Sequence, residues 1–98
     1  MSMTVYTTEK VLASLGYADP MDAARQQARM ILLGRRARYE ARIRSLESKW
    51  GCSVSDMRAR YELKGQEDFE ADDDYVQWQW YVDALSELDA QITALSEA

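Results

Sequence analysis

Residues 78–95 read WQWYVDALSELDAQITAL, and their spacing decides the fold. Trp78, Tyr81, Leu85, Leu88, Ile92 and Leu95 recur at intervals of 3, 4, 3, 4 and 3. That is a heptad seam sustained over about five helical turns. A second seam lies upstream, where Leu32, Tyr39, Ile43, Leu46 and Trp50 are spaced 7, 4, 3 and 4, with Arg36 in the gap. Two seams joined by a compact connector predict an all-α chain built on an antiparallel hairpin of two long helices. Trp50 and Trp78 then fall at the same end.

The remaining elements follow from the breakers. Thr7 or Thr8 caps a short helix running to about Leu15, with Gly16 just past it. Asp19 precedes Pro20, which suits the first helical position because its missing N–H would be unpaired there anyway. Asp22 adds negative charge where the helix dipole favours it. One long helix is expected from Pro20 to Trp50, stopped by Gly51. Ser53, with Asp56 three residues on, caps a third helix over about Val54 to Leu63, with Gly65 as its stop. The last helix is expected to start at one of Asp72 to Asp74 and to run to about Ser96. The whole of residues 1–98 reads as a single helical domain with two short accessory helices. The first of these is placed near Ile92 and Leu95, and the second beside Trp50 and Trp78.

Each long helix carries apolar residues away from its seam. Met30, Leu33, Ala37 and Ala41 fall together on the first, and Val76 and Trp80 point away from the seam on the last. The short helices, a second copy or another protein would cover them. Met30, Leu33, Ala37 and Ala41 are therefore candidates for self-association, giving a homodimer. Trp80 is either an interface anchor, since tryptophan is enriched among binding hot spots, or is covered by Met57, Tyr61 or Leu63 of the third helix.

Composition removes several function classes. With no histidine in 98 residues, histidine acid–base chemistry and histidine metal ligation are excluded. The single cysteine, Cys52, has no partner within the chain for a disulfide or a cysteine–histidine pair, and reads as a packing or loop residue. No apolar run approaches the ~20 residues that cross a bilayer. The first residues, MSMTVYTTEK, lack a basic stretch followed by an apolar core, so the expectation is a cytoplasmic chain.

Charge is divided by position. Residues 21–64 hold 11 basic and 5 acidic side chains, whereas residues 65–98 hold 10 acidic and no basic ones. A basic helix beside an acidic one sets the pairing of the hairpin. The arginines Arg25, Arg29, Arg35, Arg36, Arg38, Arg42 and Arg44 are spread over both flanks of their seam. The net charge is −5, which opposes nucleic acid at long range, so pairing to the acidic half and to Glu40 and Glu47 is the better reading. The acidic run Glu67, Asp68, Glu70, Asp72, Asp73 and Asp74 has the oxygen chemistry of a magnesium site. It lacks an EF-hand pattern, and one helix supplies few converging carboxylates. It reads as a solvated face or as a surface for a basic partner. No cofactor and no metal is expected.

Several of these segments resemble a known family. Lys49-Trp50-Gly51-Cys52-Ser53, followed by Met57 and Tyr61, is similar to its connector. Glu67-Asp68-Phe69-Glu70 with Asp73-Asp74-Tyr75-Val76-Gln77-Trp78 is similar to the opening of its last helix. The family comprises small bacterial and archaeal proteins encoded beside a small toxin and regarded as antitoxins. The resemblance runs from about Thr8 to the end and is best over Glu67 to Trp78, with a departure around Ala71 and Asp72. It implies a non-enzymatic protein that neutralises a cognate toxin by direct binding, and the acidic run adds the expectation that this partner is basic. The resemblance supplies no contact residues; charge and helix placement give Glu67, Asp68, Glu70, Asp72, Asp73 and Asp74 as the expected contacts, anchored by Val76 and Trp80. The alternative from another class is a helical structural module that only self-associates.

Overall fold

A computed structural model describes residues 5–63 and 68–97. The described residues form four helices: α1 (Thr8–Ser14), α2 (Pro20–Trp50), α3 (Val54–Leu63) and α4 (Phe69–Glu97). Their ends follow the expected capping chemistry. Thr7 Oγ1 accepts from the Lys10 N–H at 3.2 Å, and Asp19 Oδ1 accepts from the Asp22 N–H at 2.7 Å. Asp22 in turn accepts from the Ala18 N–H at 2.9 Å. Ser53 and Asp56 form a reciprocal capping box, with distances of 3.2 and 3.3 Å. Gly51 stops α2 in the left-handed region at φ 64°, where a side chain would strain the backbone.

α4 begins earlier than Asp72 to Asp74. Asp68 Oδ1 accepts from the Ala71 N–H at 3.1 Å, and its carbonyl accepts from the Asp72 N–H at 2.9 Å. The side chain that satisfies the first free N–H groups sets the start. The acidic residues from Glu70 onward therefore lie inside the helix.

α2 and α4 pack along each other with their contacts in opposite order. Lys49 and Trp50 meet Asp74, and Arg42 donates to Gln77 at 3.5 Å. Tyr39 meets Trp80 and Tyr81, and Arg36 meets Asp89. All the seam residues are buried or half-buried. The core sits at one end, where Leu46, Met57, Ala71 and Trp78 are buried and Trp50, Cys52, Val54 and Tyr75 pack against them. α3 is held against α4 by Arg58, which donates to Tyr75 Oη at 3.2 Å and to Gln79 Oε1 at 2.8 Å. Arg60 and Lys49 each lie 5.4 Å from the Trp50 ring.

The other end is open. α1 makes its main contact with α2, and none of its residues is buried. It does not enclose Ile92 and Leu95, which stay half-buried. Periodicity places apolar residues on α1 but does not say where they dock, and Val11 and Leu15 remain 40% and 66% exposed. The molecule measures 80 × 28 × 17 Å. That length exceeds the ~45 Å of either long helix, as expected of an α1 that buries nothing. No helix among the described residues is long and apolar enough to cross a membrane.

Candidate interaction surface

The acidic run does not form one surface. Glu67 lies outside the described residues. Asp68 is the α4 cap and is exposed, Asp72 is half-buried, and Asp73 is exposed. Glu70 and Asp74 turn to α2, where Lys49 Nζ lies 2.9 Å from Glu70 Oε1 and 2.6 Å from Asp74 Oδ2. The Trp50 indole N–H donates to the same Asp74 oxygen at 2.9 Å. The residue is only 9% exposed. The hydrogen bond from Lys49, helped by that from Trp50, outweighs burial and holds the Asp74 carboxyl below its ordinary 3.8. The bonds to Asp74 and then to Glu70 raise the Lys49 ammonium above 10.5. The structure thus gives Asp74 a joint between α2 and α4 rather than a place on a partner-facing surface, because its position on α4 matches the seam.

Val76 and Trp80 are 58% and 57% exposed. α3 does not cover Trp80: Met57 is in the core, Tyr61 stacks on Tyr75 at 4.8 Å, and Leu63 is 81% exposed. Instead Tyr39 and Tyr81 meet the Trp80 ring edge-on, with centroids 5.5 and 5.2 Å away. The indole is thereby oriented while one side stays open to solvent.

Around it runs a stripe that sequence reading only half assembled. Asp73, Val76, Trp80, Asp83 and Glu87 are spaced 3, 4, 3 and 4 and all are exposed. Asp83 and Glu87 were not among the expected contacts, although continuing the interval from Asp73 finds them. No Lys or Arg among the described residues lies within ion-pair distance of Asp73, Asp83 or Glu87. Asp83 accepts only from Gln79, at 3.0 Å. The stripe is a negative field around a fixed aromatic ring.

On α2, Met30 and Leu33 are 62% and 40% exposed, and Ala37 and Ala41 are exposed too. Neither short helix covers them. The arginines divide between internal pairs and solvent. Arg36 Nε lies 3.1 Å from Glu40 and 3.0 Å from Asp89, and Arg25 pairs with Asp22 at 3.9 Å. Cys52 is half-buried against the core and free. Among the described residues no three acidic or cysteine side chains converge as a metal-holding group.

The fold and surface define an all-α chain with a core at one end and uncovered helix faces along the rest. Comparison with protein families, curated proteins and solved structures finds no significant match. The likeness to antitoxins therefore rests on the residues quoted for it alone.

Proposed function

We propose that this chain works as an antiparallel helical hairpin that binds another protein and performs no catalysis of its own. The binding face is the outer stripe of α4, with Trp80 and Val76 as anchors and Asp73, Asp83 and Glu87 as the charged surround. The observation that carries this reading is Trp80. Its ring is held edge-on by two tyrosines, yet is 57% exposed. An oriented indole loses little side-chain entropy on binding, and its burial acts on the lifetime of a complex. The carboxylates select a basic partner and speed its capture, most strongly at low salt.

Neutralisation of a small basic toxin in the cytoplasm is the particular form of this function that the resemblance implies. If that toxin is a nuclease, the α4 carboxylates occupy the basic site that would hold phosphates. The exposed Asp68 and the half-buried Asp72 lie toward the start of α4, while Glu70 and Asp74 hold it to α2.

The test is the rate of association and dissociation with the product of the adjacent gene at two salt concentrations. Asp73→Asn with Asp83→Asn is expected to slow association by about tenfold at low salt and to flatten its salt dependence. Trp80→Ala is expected to speed dissociation by roughly 30-fold, the equivalent of a ~2 kcal/mol hot spot. Wild-type rates for both variants would remove the stripe from the function.

A further inference from the structure

α3 packs on the flank of α4 that carries Tyr75 and Gln79. On the opposite flank a groove of about 450 Å³ lies between the two long helices. Ala28, Ile31 and Leu32 of α2 and Gln91, Ala94 and Leu95 of α4 line it. One turn nearer Trp80, Arg35 stands on the α2 wall and Glu87 on the α4 wall. Both are exposed, and neither is ion-paired among the described residues.

We propose that a second copy of this chain docks here, groove to groove, as a two-fold homodimer. The groove is a different surface from the outer face of α4, although Glu87 and Trp80 border both. Three observations select a second copy. The groove is apolar, and the small side chains of Ala28 and Ala94 leave room for a ridge from another helix. Its two walls carry opposite charges at the same level. A two-fold axis along the helices lays α4 of the second copy over α2, so each Arg35 meets the other copy's Glu87. A partner of uniform charge would oppose one of the two walls.

The third observation is area. The chain exposes 7419 Å², against about 5,700 Å² for a compact monomer of its mass. A specific interface hides about 800 Å² on each side. One dimer contact therefore removes about half of the excess and leaves a second surface over. Trp80 lies seven residues, or about 10 Å, beyond Glu87 along α4. Trp80 lines the groove beside Arg35 and Glu87, so this contact borders the outer face of α4, with Val76 and Asp73 beyond it.

This places self-association on a different face from Met30, Leu33, Ala37 and Ala41, which sit on the far side of α2 and form no concave surface with α4. Sedimentation equilibrium of the purified full chain tests the proposal, with helix content measured alongside. The wild type is expected at twice the chain mass. Ile31→Glu and Ala94→Glu, both at exposed positions, are expected to shift it to the chain mass with helix content kept. Arg35→Glu is expected to weaken the dimer at least about tenfold, and adding Glu87→Arg to the same chain to restore it. Met30→Glu is expected to leave the dimer intact. A monomeric wild type overturns the proposal, as does a dimer that survives Ile31→Glu and Ala94→Glu or is lost with Met30→Glu. A double charge exchange that fails to restore the Arg35→Glu dimer overturns the two-fold register.

Discussion

Asp74 shows how one side chain links two helices. It accepts from Lys49 and from the Trp50 indole while almost fully enclosed. Asp74→Ala leaves that indole N–H without its acceptor beside the core, and is expected to cost roughly 1–3 kcal/mol in denaturant unfolding. Asp73→Ala, one residue away and exposed, is expected to change stability by less than about 0.5 kcal/mol. The pH dependence follows from the direction of each shift. The folded Asp74 carboxyl lies below 3.8, so its contribution is fully present above that value and is lost as pH falls through the lower, folded one. The raised Lys49 ammonium contributes below pH 10.5 and loses its contribution as pH rises through its folded value. Asp74→Asn is therefore expected to remove part of the acid-side loss. Unfolding midpoints measured from pH 2 to 7 check this through a difference from wild type that narrows below about pH 3.8. Periodicity puts Asp74 on the same helical face as Trp78 and Tyr81. In a run of six acids it nonetheless reads as one more exposed carboxylate, because its partners are contributed by α2, 24 and 25 residues away.

At the scale of elements, both ends of α2 and the start of α3 are legible because each has a dedicated residue: Asp19 with Pro20, Gly51, and Ser53 with Asp56; Gly65, the expected stop of α3, lies outside the described residues. The start of α4 is less so. Six acids within eight residues offer several caps, and only the geometry singles out Asp68. The position of α1 is not legible at all, since it packs too little for its apolar residues to have one destination. α3 is the opposite case. Met57 is 1% exposed and is buried with Leu46 and Trp78. Met57→Ala is expected to cost about 2–5 kcal/mol, whereas Leu33→Ala, on the open side of α2, is expected to cost less than about 1 kcal/mol. Thermal unfolding of the two variants under conditions where both have the same oligomeric state compares them directly. The exposed pair of Arg36 with Asp89 is worth about 0–1 kcal/mol, so it sets register more than stability.

The whole molecule is long and unevenly packed. Its radius of gyration is 21.5 Å, where a compact chain of this length has about 13 Å. Most buried side chains gather where α2, α3 and α4 meet; toward the other end Leu88 is buried, and the last turns of α4 and the first of α2 hold only half-buried contacts. Local stability follows local packing. Amides of 44–50 and 78–82 are expected to exchange slowest, and those of α1 and 20–28 fastest. In a dimer formed at the groove, residues 28–32 and 91–95 gain protection that Ile31→Glu removes.

The claim that a protein partner binds the outer face of α4 is tested most directly by hydroxyl-radical footprinting of the full chain, free and with the adjacent gene's product. The exposed Trp80 and Met30 should label readily in the free protein, and the buried Trp78 and Met57 slowly. In the complex, labelling of Trp80 is expected to fall several-fold while that of Met30 stays the same. Equal labelling of Trp80 with and without that protein, or protection at Met30 instead, would contradict the account.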